Sequence, residues 1–142
     1  MRLWHRDLLP VLPRQQLLSQ WRECCCIAKN IADNGTPNHI LVNKIMNYPM
    51  SDFWNYTRLV TEEMRRRGYK VDVDKFTKHY YKFGHPLPKL NDKPFVGWHN
   101  HKYFRQCYFN LEEKHDAGGI TEEEWKKLNV ACRRLIRRIN TL

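Results

Sequence analysis

Apolar residues recur every three or four positions along most of the chain, a spacing that predicts amphipathic helices. The longest apolar stripe consists of Leu17, Leu18, Trp21, Cys24, Cys25, Ala28 and Ile31. Pro10 and Pro13 precede this stripe, and Asn34 and Gly35 follow it. Because glycine is the preferred residue just after a helix, one long helix is predicted to end at Gly35.

Three further helices are predicted before the middle of the chain. Thr36 and Pro37 form a start signal for a short second helix that ends at Tyr48 and Pro49. Ser51 and Asp52 open a third helix, which ends at Gly68 after three arginines. An aromatic helical pattern then runs over residues 72–83.

The second half of the chain begins with a proline-rich loop over residues 84–97. A helix is predicted over residues 98–115, and Thr121 with Glu124 forms a capping box that starts the last helix. No stretch alternates apolar and polar residues as a strand would. The pattern therefore predicts an all-α fold: a single compact domain, residues 1–142, of several amphipathic helices with a Pro-rich loop.

The charge indicates the kind of partner. Lysine and arginine number 25 against 15 acidic residues, a formal net charge of +10. Seven cations and only two acids lie among aromatic residues between Arg65 and Lys82, and a second basic patch occupies Arg133 to Arg138. Such a surplus favours a nucleic acid over a membrane as the partner. A solvated helix end is the competing interpretation for each patch.

The sequence is not that of a membrane-spanning, secreted or disulfide-bonded protein. The longest apolar run, Cys24 to Ala28, is far shorter than a membrane span, and Arg2, Arg6 and Asp7 interrupt any secretory signal. Five cysteines, three of them adjacent, do not form a disulfide framework. We therefore expect a monomeric protein of the cytoplasm, associated with the nucleoid when it binds DNA.

Candidate catalytic groups are few. His99, His101 and Glu112 suggest a metal site, but residues two apart on a helix point to different faces and no CxxC motif is present. No metal and no cofactor are therefore expected, and a metal-dependent nuclease stays an alternative. No G-x-S-x-G motif indicates a serine nucleophile either.

Glu23 is the most informative acidic residue. It lies mid-helix beside Arg22, on a segment that also carries Arg14 and Gln20, and close in sequence to a polar N-terminus. A carboxylate among cations can stabilise a developing positive charge or remove a proton at a sugar carbon. A solvent-exposed glutamate in a local ion pair is the competing interpretation.

Four segments carry a family resemblance: Arg2-Leu3-Trp4-His5, the block Leu12 to Glu23, the block Glu62 to Tyr69, and the block Asn110 to Lys114. In this order and spacing they resemble the pyrimidine-dimer DNA glycosylase family, of the phage endonuclease V type, and most closely a bacterial branch of it. The resemblance implies a compact helical enzyme that flips a nucleotide out of UV-damaged duplex DNA, cleaves the glycosidic bond and breaks the strand by β-elimination. It implies no cofactor and no metal.

The resemblance also implies roles for particular residues. The family nucleophile is the α-amino group of the N-terminus, which forms an imine at the sugar C1′, and a helix glutamate serves the sugar chemistry. That glutamate corresponds to Glu23. Because Arg2 follows Met1 and methionine is usually retained before so large a residue, the nucleophile is expected to be the amine of Met1.

The remaining expected site residues contact DNA. The family's arginine after the N-terminal residue corresponds to Arg2, and Arg22 corresponds to a basic residue near the lesion. Gln16 replaces a family histidine. Arg14 is expected to hold phosphate, and His5, Gln16 and Gln20 are expected to lie on the DNA-facing side. A non-catalytic nucleic-acid-binding protein on the same fold is the main alternative.

Overall fold

The computed structural model describes residues 1–140, and the side chains of residues 1–138. The α-helices are α1 (Arg14–Asn34), α2 (Met50–Arg66), α3 (Asp74–Tyr80), α4 (His101–Asp116) and α5 (Glu122–Asn140), and two 3-10 helices span Arg6–Val11 and Asn43–Asn47. No strand occurs among the described residues. The predicted all-α fold is confirmed, whereas one domain over residues 1–142 stays a prediction.

Two predicted helix ends are confirmed by their capping contacts. Gly35 follows α1 in the left-handed conformation, with φ of 76°, and its N–H donates to the Ile31 carbonyl. At the start of α5, the Glu124 N–H donates to Thr121 Oγ1 at 3.2 Å, and the Glu124 carboxylate accepts from the Thr121 N–H at 3.4 Å. Both contacts satisfy backbone or side-chain groups that a helix end would leave unpaired.

The prediction of an α-helix after Pro37 is wrong. Asn38 adopts a left-handed φ of 59°, and only a 3-10 helix follows, at Asn43–Asn47. Ile40 is 84% exposed and Leu41 48% exposed, so the segment buries little besides Val42 and Ile45. Two buried side chains provide too little packing to hold a longer helix in place. The aromatic helix is also shorter than predicted, because α3 ends at Tyr80.

The core lies between α1 and the helices α2 and α3, which both pack against it. From α1 it takes Leu17, Cys24 and Ile27, all fully buried. From α2 it takes Phe53 and Val60, which are also fully buried. Each such side chain contributes about 1.5–3 kcal/mol by leaving water. This packing leaves one edge of α1 for the N-terminal segment.

The proline-rich loop is tied to α2 by a buried amide. Asn55 donates from Nδ2 to the Lys89 carbonyl at 2.9 Å and accepts at Oδ1 from the Asn91 N–H at 3.0 Å. Arg58, one turn further along α2, donates to Asp92 at 2.7 Å. These contacts bring the chain back across α2, so that the Pro94 carbonyl accepts from the Arg6 side chain and His99 accepts from the Arg6 N–H. None of the described helices combines the length and the apolar character that a membrane span needs.

A substitution at Gly84 tests the packing at the end of α3. A Cβ on Gly84 would overlap the ring of Tyr80, which is fully buried and packed against Phe76 and Phe83. Because this ring has no room to move, Gly84→Ala is expected to lower the free energy of unfolding by about 1–3 kcal/mol in urea denaturation. The control is Gly119→Ala, whose Cβ would lie 3.3 Å from one carbonyl oxygen. Equal stability of the two variants would contradict the packing described.

Candidate active site

The N-terminal segment is held on α1 by the side-chain amide of Gln20. Its Nε2 donates to the Arg2 carbonyl at 3.0 Å, and its Oε1 accepts from the Trp4 N–H at 2.8 Å. Residues 2–4 belong to no helix or strand, and no strand occurs among the described residues. Buried backbone groups need hydrogen-bond partners, and here a side chain supplies what a neighbouring strand would otherwise provide.

Two tyrosine hydroxyls complete this support. Tyr56 of α2 lies 2.6 Å from the Trp4 carbonyl and 3.0 Å from Gln20 Oε1, and the shorter contact takes its single proton. Tyr103 of α4 donates to the Leu3 carbonyl. Burial raises the pKa of Tyr56 and that of Tyr103 well above the ordinary range, so both remain protonated donors.

Glu23 faces the start of the chain. Its Oε2 accepts from the Arg2 N–H at 3.5 Å and from Gln20 Nε2 at 3.3 Å. Covalent geometry places the α-amine of Met1 about 3 Å from the Arg2 nitrogen, and therefore within about 7 Å of Glu23 Oε2. Met1 itself is 36% exposed. The structure thus brings together the two residues that the sequence predicted as catalytic.

The Arg2 side chain packs behind this pair. Its guanidinium lies 5.6 Å from the centre of the Trp4 ring and donates to Cys107 Sγ at 4.0 Å. Burial raises the pKa of the Cys107 thiol, so the sulfur remains a neutral, weak acceptor. Arg2 therefore contacts Glu23 through its backbone and Cys107 of α4 through its side chain.

Arg22 lies next to Glu23 in α1, whereas Arg14 lies at the start of the helix and on the opposite side from Glu23. Arg22 is exposed beside Glu23 and donates to Ser19 Oγ at 3.1 Å. Arg14 precedes Glu23 by nine residues, which is half a turn around the helix and about 13 Å along it. Its guanidinium lies 5.9 Å from the ring centre of Tyr69. The structure brings Arg22, but not Arg14, to the neighbourhood of Glu23.

Three other predicted site residues differ in exposure. Gln20 is fully buried and His5 is 2% exposed, so both lie beneath the surface on which the sequence analysis placed them. The His5 Nδ1 accepts from the Asp7 N–H at 3.1 Å, which supports the N-terminal segment from inside. Gln16 lies on the same face of α1 as Glu23, two turns earlier. Its Oε1 is buried and has no hydrogen-bond partner within the described chain.

The residues of the metal alternative do not converge. His99 is buried, its Nδ1 accepts from the Arg6 N–H at 3.0 Å, and its ring packs against His5. His101 is exposed at the start of α4. Across the described residues, no group of three or more histidine, cysteine or acidic side chains has the arrangement of a metal site.

The arginines at the end of α2 hold the adjoining chain. Arg66 and Arg67 both pair with buried Glu63, the Arg67 contact being 2.8 Å, and Arg67 also donates to the Leu9 carbonyl at 3.2 Å. Burial alone would raise the pKa of Glu63, but the hydrogen bonds from these arginines outweigh it and lower the pKa. This part of the basic cluster therefore fixes the 3-10 helix Arg6–Val11 against α2.

Sequence reasoning missed the roles of Tyr56 and Tyr103. Both lie at the apolar positions of amphipathic helices, where a tyrosine is ordinarily a core residue. A tyrosine in such a stripe still carries a hydroxyl that needs a partner when buried, and this was the available signal. Which backbone group it would meet depends on residues about 50 and 100 positions away in the sequence.

Comparison with known proteins gives one match. A family model described as pyrimidine dimer DNA glycosylase matches residues 1–77, more than half of the chain. The protein therefore belongs to the pyrimidine-dimer DNA glycosylase family. No curated protein and no solved structure matches it. The matched region includes Met1, Gln20, Glu23 and Tyr56, whereas α4 with Tyr103 lies beyond it.

The buried histidines predict a dependence of stability on pH. Burial lowers the pKa of His5 to about 4 and also lowers the pKa of His99. In the unfolded chain both imidazoles take up a proton near pH 6.5, whereas in the folded chain they stay neutral until a much lower pH. The free energy of unfolding therefore keeps its full value above pH 6.5 and decreases as the pH falls toward 4. For His5 alone the loss at pH 4 is on the order of 3 kcal/mol.

Urea denaturation between pH 7.5 and 4.5 measures this loss of unfolding free energy. NMR titration of the histidine rings shows which histidines cause it. We expect the His5 and His99 signals to stay those of the neutral ring throughout the folded range. A normal titration of both rings near pH 6.5 in the folded protein would contradict this result.

Proposed function

We propose that the protein is a DNA glycosylase with abasic-site lyase activity on damaged, in particular UV-damaged, duplex DNA. The observation that carries the proposal is the position of the chain's first residues against Glu23, whose carboxylate accepts from the Arg2 N–H at 3.5 Å. Membership of the pyrimidine-dimer DNA glycosylase family supports the substrate class. No cofactor or metal takes part in the proposed reaction.

In the proposed reaction, the amine of Met1 acts as the nucleophile. Its nitrogen attacks the sugar C1′, the glycosidic bond breaks, and the damaged base leaves with the bonding electrons and takes up a proton. Loss of the amine protons and opening of the sugar ring give an imine at C1′. Removal of a proton from C2′ then expels the 3′ phosphate by β-elimination, and water releases the enzyme by hydrolysing the imine.

Glu23 serves two steps of this sequence. As the base departs, positive charge develops on the sugar, and a carboxylate held at that point stabilises it. The same carboxylate lies within reach of the protons that must move during ring opening and elimination. The N-terminus and Glu23 lie on one partly exposed edge of α1, where an extruded nucleotide can approach them.

The proposed DNA contacts follow from exposure and charge. Arg22 is exposed next to Glu23 and is suited to a phosphate beside the reacting sugar. Arg2 supplies a positive charge behind the site, and Arg14 holds phosphate on the other side of α1. Gln16 is half-buried on the same face of α1 as Glu23, and we assign it to the side of the helix that faces DNA. We propose that the protein acts as a monomer in the cytoplasm, at the nucleoid.

Borohydride trapping tests the nucleophile. The protein is incubated with duplex DNA containing an abasic site and then reduced, and a covalent complex is expected because reduction converts the imine to a stable amine. A version extended by a few residues at the N-terminus is expected to lose the complex while it keeps its affinity for DNA. Salt-sensitive binding without any adduct would instead favour the non-catalytic nucleic-acid-binding alternative.

Glu23→Gln tests the carboxylate. The variant keeps the size of the side chain and removes its charge, so we expect glycosylase and lyase rates to fall about 100-fold or more. The dissociation constant for damaged DNA should change little. The matched control is Glu113→Gln, an exposed glutamate on α4. Full activity of Glu23→Gln would remove Glu23 from the mechanism.

A further inference from the structure

We propose that Gln20 is a positioning residue, which sets the N-terminus and the Glu23 carboxylate in a fixed relative orientation through one buried amide. The proposal rests on the proposed function, because it assigns Gln20 to the same reaction. Gln20 does not reach substrate, since its side chain is fully buried.

The orientation of the Gln20 amide is fixed by its neighbours. One face meets a donor, the Trp4 N–H, at 2.8 Å, and the other meets two acceptors, the Arg2 carbonyl at 3.0 Å and Glu23 Oε2 at 3.3 Å. If the amide were flipped, its NH2 group would face the Trp4 N–H, and its oxygen would face the Arg2 carbonyl oxygen and Glu23 Oε2. Only one arrangement therefore satisfies all the groups, and in it both Nε2 protons are used.

This arrangement limits the freedom of the nucleophile. The two peptide planes that flank Arg2 are each held by one hydrogen bond. Glu23 holds the Met1–Arg2 plane at the Arg2 N–H, and Gln20 holds the Arg2–Leu3 plane at the Arg2 carbonyl. Because the peptide bond is planar, only rotation about the Cα–C bond of Met1 then moves the amine. A nucleophile with one free torsion spends more time in the attacking geometry than a flexible chain end would.

The same amide orients the carboxylate. The hydrogen bonds that Glu23 receives from Gln20 and from Arg2 both reach Oε2. A carboxylate fixed through one oxygen directs the other oxygen in a definite direction, and we assign Oε1 to the reacting sugar. Gln20 thus acts on both reactive groups at once, which neither Tyr56 nor Tyr103 does.

Two variants test the proposal. Gln20→Met keeps the approximate volume and removes all the hydrogen bonds, and Gln20→Glu keeps the shape but removes both donors and adds a negative charge. We expect both to slow single-turnover borohydride trapping at least 10-fold, with the dissociation constant for abasic DNA unchanged within twofold. The control is Ile27→Val, a buried residue of α1 outside this network. It is expected to trap at the normal rate.

The pH profile separates positioning from a structural role. In Gln20→Glu two carboxylates would lie side by side, and because they cannot both ionise easily, the acid limb of the trapping profile is expected to move up by at least one pH unit. A merely destabilised protein would lose activity without that movement. Unchanged trapping rates and an unchanged profile in Gln20→Glu would overturn the proposal, and so would a rate loss equal to that of Ile27→Val.

A measurement without DNA distinguishes this proposal from the proposed function. Reductive methylation with formaldehyde and cyanoborohydride labels the Met1 amine, and mass spectrometry of the N-terminal peptide gives its rate. We expect this rate to change at least threefold in both Gln20 variants and to stay constant in Ile27→Val. If the wild type forms no DNA adduct, the proposed function fails and the labelling rates alone decide on Gln20. Equal labelling in all four proteins overturns the positioning role.

Should Gln20→Met fail to fold, as judged by far-UV circular dichroism, Tyr56→Phe replaces it. That variant removes one hydroxyl and leaves the Trp4 carbonyl without its donor, while Gln20 keeps its three other contacts. Its trapping is expected to fall about threefold, less than in Gln20→Glu. If the trapping rate fell further in Tyr56→Phe than in Gln20→Glu, the Gln20 amide would not be the main group that positions the N-terminus.

Discussion

The site depends on the need of residues 2–4 for hydrogen-bond partners. These residues belong to no helix or strand, Leu3 and Trp4 are buried, and their backbone groups meet side chains of α1, α2 and α4. An unpartnered buried amide or carbonyl costs on the order of 1–3 kcal/mol, so each missing side chain would loosen the segment. The same hydrogen bonds therefore stabilise the fold and fix the position of the start of the chain.

Much of the fold could be predicted from local signals. The end of α1 at Gly35 and the capping box at Thr121 are decided within a few residues, and both are as predicted. The segment after Pro37 has equally good local signals for a helix start, yet it forms a 3-10 helix. Its apolar residues Ile40 and Leu41 stay largely exposed, and this depends on tertiary structure that no local pattern contains.

The site was predictable in part. The pairing of Met1 with Glu23 follows the family resemblance, and the structure brings the two together. Gln20 lies about 60° around α1 from Glu23 and on the same face as fully buried Ile27, two turns later. Helical periodicity therefore indicates its burial but not the groups that its amide meets. Its burial depends on Trp4 and Tyr56, which reach it from distant parts of the sequence.

The hydrogen bond between Tyr103 and Leu3 joins residues that the ribosome makes far apart in time. His99, which accepts from the Arg6 N–H, is likewise made long after its partner. The N-terminal segment is synthesised before these partners, and part of its support comes from residues that follow in the last third of the sequence. A nascent chain therefore carries an incompletely supported N-terminal segment until His99 and Tyr103 have been made. Both residues lie beyond the family match, so a region outside residues 1–77 decides when Leu3 and Arg6 reach their final positions.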